Sequence, residues 1–385
     1  MELFVDEHAT RMWDQVAEID DIEFALEMQS LKENRIPPRY IYKNFMPVCK
    51  AWKAMFSGSP FVEQNFMESK SHLLIQAASE RHMKTKLIEI GKELEFESCD
   101  LGINRLGKVR PGCDGFLLIN PPKDNGQLQV INPATKFSLT IPKCPSGCPH
   151  KACSAALGFD SSTKQYKVVH VYADSYGFEV LNLGSADNEW ERVSGPWEDL
   201  NDRPFNPLNF SWKDPVSING RILHWYVDSN EYIVSMQVKE GKCSITHLPK
   251  LGNVIKRNNY SLAELGGYLS FIHSASEIEM DVWILEDFRG QVWSKKHSIV
   301  VELTNYICPN KTARQNERTM PNLGKLVAIA GARNGEVLIF KHKNSSALYI
   351  YDTKIRVMKK IGINMKNIES FVLHKDSLFT MRRIS

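Results

Sequence analysis

The chain has 385 residues, 43% hydrophobic and 24% charged, a mix that suits a folded soluble protein larger than one compact core. Its 48 basic and 45 acidic residues leave a formal net charge of +3, too even a balance to point to nucleic acid or an anionic membrane. No run approaches 18 consecutive apolar residues, so no helical membrane span is expected.

The N-terminus, MELFVDEHATRMWDQ, is acidic and lacks a basic and an apolar leader segment, which speaks against a secretory signal. The eight cysteines are then expected as reduced thiols in the cytoplasm or nucleus. Two helical patterns follow. Met12, Val16, Ile19, Ile22 and Leu26 form one apolar stripe, and Ile41, Phe45, Val48, Trp52 and Met55 a second. Pro47 divides the second into two short helices, the later one spanning about residues 47–56. Gly58 and Pro60 end it, and residues 61–66 start another.

From Ser71 the periodicity changes. Short apolar runs recur between Gly, Asn, Asp, Ser and Pro, as in Phe116-Leu-Leu-Ile119, Lys167-Val-Val-His-Val171, Arg221-Ile-Leu-His-Trp225 and Glu336-Val-Leu-Ile-Phe340. Phrases such as Val130-Ile-Asn-Pro-Ala-Thr135 and Ile350-Tyr-Asp-Thr-Lys354 supply turns through Asn and Asp side chains. Gly115, Gly220, Gly266 and Gly335 mark tight turns, and Trp190, Trp225, Trp283 and Trp293 read as packing aromatics. A period of roughly 40–50 residues over about 300 residues predicts a β-propeller of six to eight blades. The expected organisation is a small helical segment over residues 1–70 and a mainly-β propeller over residues 71–385.

Candidate chemistry is sparse. Cys144, Cys148, His150 and Cys153 are zinc-ligand types at zinc-like spacing. Their loop is only ten residues long and no second ligand pair lies at a distance in sequence, so a plain inter-strand loop without metal is expected. His170 and His224 sit inside strand patterns and read as satisfied core residues. No Gly-x-Ser-x-Gly elbow or phosphate loop occurs. No catalytic residue and no cofactor is therefore assigned. The segment 195–212, with Trp197, Phe205, Phe210 and Trp212, is a candidate target-binding loop, because aromatics and Arg anchor interfaces. Its aromatics folding back on the propeller is the equal alternative. The insertion 305–321, with Lys311, Arg314 and Arg318, reads as a solvated basic loop.

Two stretches resemble a known family. Arg35-Ile36-Pro37, Ile41, Val48-Cys-Lys-Ala-Trp-Lys53 and Ser59-Pro-Phe61 resemble the second half of an F-box. Gly115-Phe-Leu-Leu118, Leu157-Gly-Phe-Asp160, Ser217-Ile-Asn-Gly-Arg-Ile-Leu-His-Trp225 and Tyr349-Ile-Tyr-Asp352 resemble, in order, the plant F-box-associated propeller domain. The F-box part is degenerate: no Leu-Pro pair precedes residues 22–31. One extra residue between Pro37 and Val48 also turns a helix face by about 100°. The resemblance implies a substrate receptor of an SCF-type ubiquitin ligase. Pro37, Ile41, Phe45, Val48, Cys49 and Trp52 would meet a Skp-type adaptor, which links to a cullin, and the propeller would hold a target protein. The alternatives are a propeller scaffold that has lost adaptor binding and, more remotely, a propeller glycoside hydrolase with carboxylates around its channel.

Overall fold

The computed structural model describes residues 36–381, apart from 79–82, 91–95, 100, 102–105, 122–126, 149, 151–152, 172–176, 185–188, 206–209, 211, 252–254, 256–258, 308–319 and 362–367. The stripe at residues 12–26, the segment 22–31 and the basic residues Lys311, Arg314 and Arg318 lie outside the described residues.

Among the described residues, twenty-five strands form six sheets, one per blade. Blade 1 contains β1 (Ser71–Ala78), β2 (Met83–Ile90) and β3 (Phe96–Cys99). Blade 2 contains β4 (Lys108–Cys113), β5 (Phe116–Asn120), β6 (Gln129–Asn132) and β7 (Phe137–Thr140). Blade 3 contains β8 (Ser154–Asp160), β9 (Gln165–Val171), β10 (Gly177–Leu183) and β11 (Trp190–Ser194). Blade 4 contains β12 (Val216–Ile218), β13 (Ile222–Trp225), β14 (Tyr232–Gln237) and β15 (Lys242–His247). Blade 5 contains β16 (Tyr260–Leu265), β17 (Tyr268–Ser274), β18 (Glu279–Asp287) and β19 (Val292–Val300). Blade 6 contains β20 (Tyr306–Ile307), β21 (Leu326–Ala332), β22 (Val337–His342), β23 (Leu348–Asp352) and β24 (Val357–Ile361). The last strand, β25 (Ile368–Lys375), returns to blade 1 and pairs antiparallel with β1, Leu73 opposite Leu373 and Ile75 opposite Phe371. The ring is thus closed by hydrogen bonds between the two ends of the propeller sequence. The expected propeller is present, with six blades.

The apolar runs are explained by burial on both faces of each strand. Side chains alternate across a strand, so Leu338 and Phe340 pack towards blade 5 while Val337 and Ile339 pack towards blade 1. In blade 3, Val168 faces blade 2 and Val169 faces blade 4. One apolar core fills each of the six interfaces between neighbouring blades.

Two turn devices repeat. Asp114-Gly115, Asn219-Gly220, Gly266-Gly267 and Asn334-Gly335 each pair two positive φ values between the two innermost strands of a blade, with Arg333 a third in the last. That geometry matches the twist of the flanking strands and favours Gly at its second position. At Gly220 any added side chain would also strike Cys113. In the second device, Asn132, Asp160, Asp287 and Asp352 accept the N–H two residues on, at 2.9 Å in each case. Each of these loops ends on a left-handed residue, Lys136, Lys164, Gln291 or Arg356. The Asx side chain closes the turn that the backbone alone would leave open.

The tryptophans pack as expected, and three also bond across blades. Trp225 is fully buried, and its indole donates to Ser154 Oγ at 2.8 Å across the blade 3–blade 4 interface. Trp190 on β11 donates to Pro142 O at 3.1 Å, and Trp293 on β19 to His247 O at 2.9 Å. Each fastens the outer strand of one blade to the blade before it.

Candidate functional site

The helices before the propeller are short. α1 (Pro38–Tyr40) runs into a π-helical turn (Ile41–Phe45), followed by α2 (Lys50–Phe56) and α3 (Ser59–Glu68). α2 starts later than Pro47 because Cys49 is its N-cap: extended backbone with a thiol that accepts the Trp52 N–H at 3.4 Å. Gly58 and Pro60 do more than end α2. They open α3, as N-cap and first-turn proline.

Of the residues expected to meet an adaptor, Pro37 is exposed, Phe45, Val48, Cys49 and Trp52 are half-buried, and Ile41 is only 1% exposed. Ile41 packs with Phe56, Val62 and Leu378 in a core between the helices and the chain's C-terminal segment. Phe45 lies 5.5 Å from Trp52 and 5.8 Å from Phe56, ring centroid to centroid, so these aromatics hold the helices together. Arg39 grips Asp376 with two hydrogen bonds of 2.5 and 2.9 Å, and His374 pairs with the same carboxylate at 2.9 Å. Burial works against the charged form of Asp376, but the bonds from His374 and Arg39 outweigh it and hold the carboxyl far below its usual range. Lys375 Nζ donates to Met67 O at 2.7 Å and sits 5.0 Å from the Phe66 ring. The tail itself is anchored to blade 2, where Asn132 Nδ2 donates to the carbonyls of Ser377 and Phe379, both at 3.1 Å. The helical segment is therefore seated on the propeller's closing strand.

The four candidate target-binding aromatics come together. Phe205 stacks on Phe210 at 4.3 Å, Trp197 meets Phe205 at 5.5 Å, and Trp212 meets Phe205 at 5.5 Å and Phe210 at 5.2 Å. Trp212 is buried against Phe178, and Trp197 donates to Tyr232 OH at 3.3 Å. The cluster folds back over the interface of blades 3 and 4, with Trp197, Phe205 and Phe210 half-buried at its edge.

The cysteine loop between β7 and β8, expected as a plain connector, carries a buried cluster of side chains. The one-letter pattern shows no further ligand type nearby in sequence, and the fold brings His170 on β9 to the loop. The ligand atoms of Cys148, His150, Cys153 and His170 all lie within 4.8 Å of one another. His150 Nδ1 is 3.2 Å from Cys153 Sγ, and its Nε2 is 3.5 Å from Cys144 Sγ. The His150 and His170 rings meet edge to face, with centroids 4.5 Å apart. Both imidazoles are buried, His150 in a left-handed conformation at φ 54°. His170 Nδ1 pairs with the buried Glu179 at 3.0 Å, and Glu179 also accepts from Ser146 N and Oγ at 3.0 and 2.9 Å. Burial raises the Cys144 thiol, but hydrogen bonds with His150, His170 and Ser146 bring it down to about 6. The bond with Cys153 pulls Cys148 far down, and the same bond pushes Cys153 up. Burial lowers His170, yet its bonds to Cys144, Cys148 and Glu179 raise it to about 9.

Arg110 holds the same loop from the other side. Fully buried on β4, it donates to Cys153 O at 2.8 Å, to His150 O at 2.6 Å and to Asp214 Oδ1 at 2.5 Å. Asn120 on β5 also donates to His150 O at 2.6 Å. Neither residue stands out in the sequence. Only the isolated Arg inside an otherwise strand-like run hints at a buried partner. His224 meets the expectation of a satisfied core histidine, pairing with Ser235 Oγ at 2.7 Å.

The fold is a six-bladed β-propeller with a helical segment seated on its closing strand. Residues 74–382 match the family described as F-box associated beta propeller domain, and the chain belongs to that family. It is 23% identical over 393 residues to F-box protein At3g07870 of Arabidopsis thaliana, covering 89% of this chain and 90% of that one. It is 21% identical over 381 residues to F-box protein At4g19940 of the same plant, covering 90% and 86%. Among solved structures, TolB from Acinetobacter baumannii matches with a TM-score of 0.45 at 11% identity, over 85% of this chain and 72% of that one.

Proposed function

We propose that the protein is the target-recognition subunit of an SCF-type ubiquitin ligase, acting in the cytoplasm or nucleus. Its helices engage a Skp-type adaptor and, through it, a cullin, while the propeller holds a target protein. One observation carries the reading. The alignment with F-box protein At3g07870 spans 89% of the chain, more than the propeller match covers, so the likeness extends into the helical segment. Helix-in-groove recognition fits what the helices offer, with Pro37 exposed and Val48, Cys49 and Trp52 half-exposed. On the propeller, the half-buried edge of the Trp197–Phe205–Phe210 cluster provides rigid aromatic anchors for a target. Chemistry belongs to the partners in this reading. The buried carboxylates of Asp160, Glu179 and Asp376 are engaged by Lys167, His170 and Arg39 respectively, as structural groups are.

A second reading has its own support. Ile41 is spent in the core with Leu378, and Arg39 is committed to Asp376, so the helices serve the propeller's own stability. In that case the protein is a propeller scaffold that no longer reaches an adaptor. Co-precipitation of the full chain from plant extract, beside its Val48→Asp variant, separates the two. Adaptor and cullin recovered with the wild type and lost with the variant support the receptor. Their absence from both supports the scaffold.

A further inference from the structure

We propose that Cys148, His150, Cys153 and His170 bind a zinc ion that fastens the loop between β7 and β8 to blade 3.

The donor set fits that metal. Two thiolates and two imidazoles in a tetrahedron are a common structural zinc site. Zn–S bonds of about 2.3 Å and Zn–N bonds of about 2.0 Å set ligand atoms roughly 3.3–3.8 Å apart. The four ligand atoms lie within 4.8 Å of one another, and His150 Nδ1 and Cys153 Sγ are already 3.2 Å apart. Closing on an ion needs only a small contraction.

The surroundings are those of a built site. Zinc-ligating histidines characteristically donate their other ring N–H to a carboxylate, which fixes the tautomer. His170 Nδ1 meets Glu179 at 3.0 Å, so Nε2 is the nitrogen a metal would take. His150 is held by Arg110 and Asn120, both donating to its carbonyl at 2.6 Å, and its ring is turned inward by a left-handed backbone. A non-glycine residue is strained in that conformation, and fixing its ring on a metal would offset the strain. Cys144 sits beside the set, 3.5 Å from His150 Nε2 and 3.2 Å from Ser146 Oγ. The Ser146 hydroxyl in turn donates to Glu179 at 2.9 Å, so Cys144 borders the shell around the four ligands.

The site also has a position that calls for a clamp. Its loop joins the outermost strand of blade 2 to the innermost strand of blade 3, so it spans the radius of the ring. Three ligands come from the loop and its exit and the fourth from β9, so one ion would fasten a connector to a blade.

The test uses the untagged full chain, purified and briefly exposed to a chelator to strip loosely held metal. Elemental analysis is expected to find one zinc per chain. The Cys148→Ser/Cys153→Ser variant is expected to lose it, while the remote Cys243→Ser keeps it. Cobalt added to the metal-stripped wild type is expected to give the intense visible absorption of a tetrahedral, thiolate-bound ion. That reading does not depend on whether the double variant folds. A wild-type protein that carries no zinc and takes up neither added zinc nor cobalt overturns the proposal. So does thiol alkylation with mass analysis that finds Cys148 and Cys153 joined as a disulfide.

Discussion

Arg39 and Asp376 stand 337 residues apart in sequence and meet through two hydrogen bonds of 2.5 and 2.9 Å. Their side chains are 25% and 10% exposed, so the pair is partly shielded from water. It is the polar half of a joint whose apolar half is Ile41, Phe56 and Leu378. Replacing Arg39 with Ala leaves a mostly buried carboxylate with one partner fewer. The expected cost is about 1.5–3 kcal/mol, read as a lower denaturation midpoint in urea. Ile41→Ala should cost about 2–5 kcal/mol by opening a cavity in the same joint.

Acid should destabilise the protein in two windows. His224 is fully buried, and burial pushes it down to about 3 from an unfolded value near 6.5. Between those values the unfolded chain binds a proton that the folded chain refuses, so stability falls as pH drops from about 6.5 to about 3. The loss is on the order of 4 kcal/mol by the bottom of that window. Asp376 is shifted the opposite way for its charge type. Its folded value lies below the unfolded one, so its stabilisation is present above about pH 4 and is lost as the pH falls further. Thermal melts across pH should show the first decline flattened in His224→Phe and the second weakened in Asp376→Asn.

Trp225 and Trp190 should separate packing from fastening. Trp225 is fully buried between blades 3 and 4, and its replacement by Ala should cost about 3–5 kcal/mol. Trp190 is half-buried and holds Pro142 by one hydrogen bond, so Trp190→Ala should cost nearer about 1 kcal/mol for that bond plus a part of its packing. Equilibrium unfolding of the two variants provides the comparison.

The ring should fail without its last strand. β25 supplies blade 1 with the partner of β1, and its loss would bare the edge that pairs Leu73 with Leu373. A chain ending at residue 367 should lose cooperative unfolding and become sensitive to limited proteolysis, whereas one ending at residue 381 should unfold cooperatively and resist proteolysis.

Much of this fold is written locally, and the parts that are not have a common cause. Asn132, Asp160 and Asp352 announce their turns because the Asx side chain acts on backbone two residues away. The Asn219-Gly220 and Gly266-Gly267 turns are legible for the same reason. The number of blades is harder to read, since the period is blurred by connectors of unequal length such as the one joining β11 to β12. His170 gives no sign of its partners because an isolated strand histidine looks the same whether it faces a carboxylate or three cysteines. Its link to Cys148 and Cys153 exists only once β9 is laid beside β8. The same holds for Ile41. Its helical spacing marks a buried face, but what covers that face is Leu378, at the far end of the chain.

Calorimetric titration of the purified full-length protein with a purified Skp-type adaptor tests the central claim most directly. The receptor account predicts a one-to-one complex with a dissociation constant of micromolar or tighter, abolished by Val48→Asp in a variant whose melting temperature is unchanged. A wild-type protein that melts cooperatively and releases no heat of binding would contradict it.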